Sequence, residues 1–278
     1  MSRWTKGKSF IIGMAMLMMV MAVTVGGCAP KKDGSSRPGP AGEQKQTPIT
    51  VSAAISLKDA LVELQEMYAQ QNPGVKVSFN FGSSGALQKQ IEEGAPVDVF
   101  ISAGQYQVDE LEQQGLLVTD SRKDLLGNEL ALVVAKGKET LIKGFPDLAG
   151  EAVGKISIGN PETVPAGKYA QEALNKLGLW AKLQGKLVPA KDVRQVLTYV
   201  DTGNVDAGLV YESDVRALKN GVKVATAPGD SHKPIVYPMA LLKNSKVPAE
   251  ARDFMNFLAG PEAAGVFTKH GFKPLLGK

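Results

Sequence analysis

The chain is 278 residues long, 44% hydrophobic, 22% charged and 6% aromatic, the profile of a globular protein rather than a disordered or fibrous one. Its formal charge of +4 gathers at the amino-terminal end: Arg3, Lys6 and Lys8 are positive and residues 29–48 add a net +2, so residues 49–278 carry −1. That nearly neutral body lacks the clustered Lys and Arg that neutralise phosphates, which excludes a broad nucleic-acid-binding face. One cysteine and two histidines, His232 and His270, exclude an intrachain disulfide and a thiolate metal cluster, and leave little material for a zinc site.

Arg3, Lys6 and Lys8 precede an apolar run from Phe10 to Val25 that ends at Gly26-Gly27-Cys28. A retained transmembrane anchor usually needs about 20 apolar residues. This run is shorter and ends in small residues, so residues 1–27 read as an export signal peptide. Cys28, directly after two glycines, resembles the lipobox cysteine of bacterial lipoproteins, with Val25 where that family most often has Leu. Residues 28–48, beginning at that cysteine, are rich in Pro, Gly, Ser and charge; they cannot bury enough surface to fold and form a flexible tether. A lipid on Cys28 would then hold a soluble body at the outer face of the cell membrane, or in the periplasm of a host with an outer membrane.

From Ile49 the pattern alternates short β-type runs with helical ones, which points to an α/β fold with parallel or mixed sheets. Ile49-Thr50-Val51 begins a strand. Ser56 to Tyr68 places Leu57, Leu61, Leu64 and Tyr68 on one helical face, and Asn72-Pro73-Gly74 stops it. Val75, Val77 and Phe79 alternate as a strand, Ala86 to Glu93 is a short helix, Val97 to Ser102 a buried strand, and Gln105 to Gln114 a helix. Glu129 to Ala135 and Lys155 to Ile158 are strands, Pro165 to Leu177 is a helix capped by Gly178, and Asp192 to Val200 is another helix. Ala207 to Tyr211, Val222 to Ala225 and Tyr237 to Leu242 are strands, and Pro248 to Leu258 is a helix turning Phe254, Phe257 and Leu258 to the core. So many elements in about 230 residues fit two lobes better than one small domain.

The chemistry lies at the helix starts. A helix N-terminus offers N–H groups without intrahelical partners and the positive pole of the helix dipole. Ser56-Leu57-Lys58-Asp59 and Asp192-Val193-Arg194-Gln195 have capping-box form, Gly82-Ser83-Ser84-Gly85 leads from a strand into a helix, and Pro165-Ala166-Gly167 opens a third helix. Each alone is ordinary capping. Several such ends directed into one cleft would cage a small anion without any counter-charge.

Ala53-Ala54-Ile55-Ser56-Leu57, Gly82-Ser83-Ser84-Gly85-Ala86-Leu87 with Gln90-Ile91-Glu92, Gly94-Ala95-Pro96-Val97-Asp98-Val99-Phe100-Ile101-Ser102-Ala103, Leu126-Gly127-Asn128, Gly159 through Gly167, Asp192-Val193-Arg194, Gly208-Leu209-Val210-Tyr211 and Gly260-Pro261-Glu262-Ala263-Ala264 resemble the molybdate-binding proteins of bacterial ABC importers. The resemblance runs over residues 49–273. It implies a two-lobed periplasmic-binding-protein type II fold with a mixed sheet in each lobe, joined by crossover strands: lobe 1 from residues 49–126 plus 236–278, lobe 2 from residues 127–235. It further implies a monomer that closes over molybdate or tungstate and delivers it to an ABC permease, with no resident cofactor. The metal would be held only as its oxyanion. Ser56 and Ser84 would give hydroxyl and backbone N–H donors, Ala166 and Val193 backbone N–H donors, and Tyr211 a phenolic hydroxyl. Ile55 and Gly85 stand where that family often has Ala and Ser.

Enzyme chemistry is the competing class. Gly82-Ser83-Ser84-Gly85 does not have the Gly-x-Ser-x-Gly form of a nucleophile elbow, and a base is lacking. His232 lies in a polar loop and His270 at a helix end facing the dipole. A binding protein for another solute is the closer rival. A phosphate site usually needs an acceptor for the ligand's proton, and an amino-acid site needs a carboxylate and an Arg; the cage residues supply neither. Arg194 and Asp192 are the nearest charges and read as mutual support at a helix start. Tyr211, following Leu209-Val210, also fits plain core packing.

Overall fold

The computed structural model describes residues 46–275; the segment read as a signal peptide, Cys28 and most of the segment read as a tether lie outside them. The first part of the chain runs β1 (Thr47–Ala54), α1 (Lys58–Gln71), β2 (Val75–Gly82), α2 (Ser84–Glu92), β3 (Val99–Ile101), α3 (Gln105–Gln113) and β4 (Lys123–Asn128). The middle runs β5 (Leu130–Val134), β6 (Ile156–Gly159), α4 (Pro165–Lys176), α5 (Trp180–Leu183), β7 (Leu187–Ala190), α6 (Val193–Asp201), β8 (Ala207–Tyr211) and β9 (Val222–Thr226). The chain then returns through β10 (Ile235–Leu241), α7 (Pro248–Leu258), α8 (Pro261–Lys269) and β11 (Lys273–Pro274).

These elements form two lobes, each around a mixed sheet. The first sheet has the order β11-β4-β10-β3-β1-β2, the second β7-β6-β8-β5-β9. β1 is parallel to β2 and β3, and β6 to β7 and β8. β10 runs antiparallel to β3 and β4, and β5 antiparallel to β8 and β9. The chain passes from the first sheet to the second across Glu129 alone, between β4 and β5, and returns between β9 and β10. Both sheets are covered on their faces, so their central strands read as near-continuous apolar runs. β5 is buried at every position.

The apolar face of α1 read from the sequence is the buried one: Leu61 and Leu64 are fully buried and Tyr68 nearly so, with Tyr68 edge-on to Phe254 of α7 at 5.0 Å. Beneath α2 and α3 a second cluster, including Leu87, Phe100, Val108 and Leu111, seals the other face of the first sheet.

The structure departs from the sequence reading in several places. β1 begins at Thr47, inside the segment assigned to the tether, because the Thr47 N–H donates to the Gly74 carbonyl at 2.8 Å. Pro48 is tolerated there since it lies before the β1–β3 pairing, which starts at Val51. Five elements escaped the pattern, the short α5 and β11 among them. β4 opens on charged Lys123-Asp124 and closes on Gly127-Asn128, β7 contains Pro189 and survives as an edge strand, and α8 follows α7 after a two-residue break.

The second lobe depends on close backbone approach where α4 meets β6. A Cβ at Gly167 would lie 2.0 Å from the Gly159 carbonyl oxygen. Gly167→Ala is therefore expected to destabilise the protein by at least about 1–3 kcal/mol, the usual range for overpacking. Urea unfolding reads this directly, and an unchanged midpoint would contradict so tight an approach.

Candidate functional site

Residues at or just beyond the carboxyl ends of strands from both sheets converge on one cleft, the place where open α/β sheets bind ligands. β1 ends at Ala54 and passes through a 3-10 turn, Ile55–Leu57, into α1; β2 ends at Gly82 and α2 starts at Ser84. In the other lobe, α4 and α6 start just beyond β6 and β7, and Tyr211 is the last residue of β8. Ser56, Ser84, Ala166, Val193 and Tyr211 all line this one narrow cleft. The structure thus brings the five sequence-derived positions together. The remaining wall is Ala54, Ile55, Gly82, Ser83, Ala103, Val164 and Pro165, so no lining residue carries a charge.

Both serines are hydrogen-bonded from behind. The Ala103 N–H donates to Ser84 Oγ at 2.9 Å, which leaves the Ser84 hydroxyl proton free to be given elsewhere. Ser56 Oγ lies 3.1 Å from the Tyr237 hydroxyl. The capping-box reading of Ser56 is corrected here: the Ser56 side chain makes no capping bond, since a 3-10 turn intervenes before α1. Ser84 is the first residue of α2 and Val193 the first of α6, while Ala166 is the second of α4, so their N–H groups belong to first turns. Asp192 does cap α6, its carboxylate accepting from the Gln195 N–H at 2.8 Å.

Other bonds cross the cleft. Tyr211, 1% exposed, donates its hydroxyl proton to the Ala103 carbonyl at 3.1 Å. Burial pushes both Tyr211 and Tyr237 well above the ordinary tyrosine range, so both are neutral hydroxyls at any physiological pH. The Gly85 N–H donates to the Thr163 carbonyl at 3.0 Å. A Cβ at Gly85 would sit 2.6 Å from that same oxygen, which explains glycine at this position: the lobes meet backbone to backbone here.

Arg194 and Asp192 do not support each other. Arg194 reaches Asp59 of the first lobe at 2.8 Å and the fully buried Asp214 at 3.3 Å, while Asp192 is occupied by capping. The guanidinium therefore joins the start of α6 to α1 and to the turn after β8. His270 ends α8 and lies 2.8 Å from a Glu63 carboxylate oxygen, and Lys269 bonds the same carboxylate. His232 faces the Lys233 carbonyl at 2.7 Å and the edge of Tyr169. Neither histidine lines the cleft. Ala103, Asn128 and Tyr237 are the supporting residues that the sequence reading did not single out. Nothing in a strand's apolar pattern distinguishes Tyr237 from packing, and Asn128 carried no signal beyond its place in a resembling segment.

Asp214 gives the region a pH dependence. Burial pushes its carboxyl up to about 7, with Arg194 and the Tyr211 N–H opposing the rise. The folded protein thus keeps this proton to higher pH than the unfolded chain, whose aspartate ionises near 3.8. Folding is favoured by that proton at low pH, and the benefit is lost as pH rises from about 4 to about 7. Asp214→Asn should accordingly gain on the native protein, in urea-unfolding free energy, across this window. A constant difference from pH 4 to pH 7 would contradict the assignment.

Among the described residues no group of His, Cys, Asp or Glu is arranged to hold a metal ion, and no helix is long and apolar enough to cross a membrane. Comparison with known proteins agrees with the architecture. Residues 49–273 match the family model described as bacterial extracellular solute-binding protein. A Bacillus subtilis (strain 168) protein with the provisional name of an ABC transporter substrate-binding lipoprotein, YvgL, is 42% identical over 95% of this chain and 98% of its own length. The Haemophilus influenzae protein named molybdate-binding protein ModA is 39% identical over 81% of this chain and 89% of its own. The solved structure of the Azotobacter vinelandii periplasmic molybdate-binding protein superposes with a TM-score of 0.73 at 29% identity, covering 83% of this chain and all of that one. With its two lobes, its cleft at the strand ends and a family match over most of its length, this chain belongs to the bacterial extracellular solute-binding proteins.

Proposed function

We propose that this protein captures molybdate, and tungstate with it, in the cleft between its lobes and delivers the anion as a monomer to a cognate ABC permease. The observation that carries the reading is the convergence of Ser56, Ser84, Ala166, Val193 and Tyr211 on a cleft whose lining holds no charged side chain. In this reading the hydroxyls of Ser56 and Ser84 and the first-turn N–H groups of both lobes donate to the anion's oxygens. The Tyr211 phenol turns from the Ala103 carbonyl to join them. Each such bond to a charge contributes about 1.5–3 kcal/mol, offset by the dehydration of the dianion. The metal stays wrapped in its four oxygens and touches no protein atom, so no resident cofactor is involved. The molybdate-binding names of the relatives support the choice of anion.

Selectivity follows from size and from protons. A cage set for molybdate or tungstate leaves the smaller sulfate short of some donors, and a wall with no carboxylate offers no strong acceptor for the proton of hydrogenphosphate. A ligand that binds only the folded state raises its stability by mass action. Thermal unfolding of the purified protein with equal concentrations of molybdate, tungstate, sulfate and phosphate should therefore show a raised Tm with the first two alone. A rise with sulfate or phosphate, or with none, would overturn the proposed ligand.

The lipid anchor belongs to the same proposal. Cys28 after Gly26-Gly27 and the lipoprotein name of the Bacillus subtilis relative support it. Acylation here would tie the tether to the outer face of the membrane and keep captured anion close to the permease. Cys28→Ala is expected to release the protein into the soluble extracytoplasmic fraction. Retention of that variant in washed membranes would show that something other than a lipid on Cys28 anchors it.

A further inference from the structure

The Ser56 hydroxyl can donate to an anion only if its proton is not spent elsewhere, and a chain of buried side chains decides where it goes. The chain begins at Asn128, 9% exposed at the end of β4. Its side-chain oxygen accepts from the Glu129 N–H at 2.9 Å and from the Ser213 N–H at 3.4 Å. Backbone N–H groups can only donate, so the amide cannot be flipped. Its nitrogen must face the other way, and donates to Ser213 Oγ at 2.9 Å and to the Tyr237 hydroxyl at 3.2 Å. Tyr237, wholly buried on β10 between the rings of Tyr211 and Phe272, thereby has its oxygen engaged as an acceptor. Its hydroxyl lies 3.1 Å from Ser56 Oγ, a contact in which either hydroxyl can be the donor, and with its oxygen already receiving the amide, donation toward Ser56 places the phenolic proton.

We propose that Asn128 and Tyr237 are positioning residues for the captured anion: together they donate onto the back of the Ser56 hydroxyl, so that its single proton is given forward into the cleft. This rests on the oxyanion reading above and deepens it. It supplies for Ser56 what the Ala103 N–H supplies for Ser84, except that the donor is a side chain and can be removed. Successive bonds of one direction also polarise each other, which strengthens the last donor in the line. The relay has a consequence for specificity. With one lone pair filled from behind and its proton turned forward, Ser56 is biased toward donating, which favours a fully deprotonated oxyanion over hydrogenphosphate.

The test is a double-mutant cycle between position 237 and position 56, read by titration calorimetry of the purified protein with molybdate and with phosphate. Tyr237→Phe keeps the ring and its packing. It should weaken molybdate binding by about 3- to 10-fold, the equivalent of one neutral hydrogen bond, and narrow the preference for molybdate over phosphate. In a Ser56→Ala background the same substitution should change neither, because the relay acts only through that hydroxyl. Asn128→Asp is the second variant. Its carboxylate accepts the Tyr237 proton, turns the relay round and draws the Ser56 proton away from the anion. The charge it adds acts in both backgrounds and cancels in the cycle. An equal loss with and without Ser56, in either variant, would overturn the relay and leave Tyr237 a packing residue. A native protein that binds none of the oxyanions would instead overturn the proposed function, so the two failures are distinguishable.

Discussion

A dianion can be held in a cleft with no charged wall only by N–H and O–H dipoles aimed at it from several sides. That requirement is met by where the strands end. β1 and β2 end in register, as do β6 and β7, and these strands and β8 each hand the chain to a turn or helix start beside the cleft. Parallel strands order the ends this way, because every crossover brings the next helix back to begin at the same edge. The antiparallel strands β4, β5 and β10 serve a different purpose, carrying the chain between sheets while Asn128 and Tyr237 sit behind the cleft.

Because two of the five proposed donor residues belong to the first lobe and three to the second, the proposed site is complete only when the lobes meet. Three unlike interactions are among those that hold them together. The Gly85 N–H bonds the Thr163 carbonyl, the Tyr211 hydroxyl bonds the Ala103 carbonyl, and Arg194 spans from Asp214 in one lobe to Asp59 in the other. Two are backbone-directed and insensitive to pH. The third joins a surface carboxylate to a buried one whose proton is held by desolvation, and it lies beside Val193 without entering the cleft wall. The charges thus hold the geometry, and the cleft is lined by uncharged residues.

Much of this was legible before any coordinates. Periodicity located α1, α4, α6 and α7 because each has one apolar face against a sheet, and continuous apolar runs located β5 and β8 because they are buried on both sides. The small polar helix starts marked the cleft, and the resemblance of their order and spacing to known binding proteins gathered them into one site. What escaped was set by tertiary context. β4 and β7 have too little apolar pattern of their own and persist because neighbouring strands satisfy their backbone. The partner of Arg194 could not be read locally, since Asp59 lies 135 residues away and the adjacent Asp192 is committed to its cap. Tyr237 looked like one more strand aromatic because its packing is ordinary and only its hydroxyl is not.

The most direct measurement is a crystal structure of the protein with molybdate. The account predicts one tetrahedral anion between Ser56 and Ser84 on one side and Ala166 and Val193 on the other. Every protein atom within hydrogen-bond distance of its oxygens should be a donor, with none of them bonded to the metal. An anion lodged instead in the basic pocket lined by Arg194, Arg216, Lys269 and His270, or contacted by one lobe alone, would contradict the account.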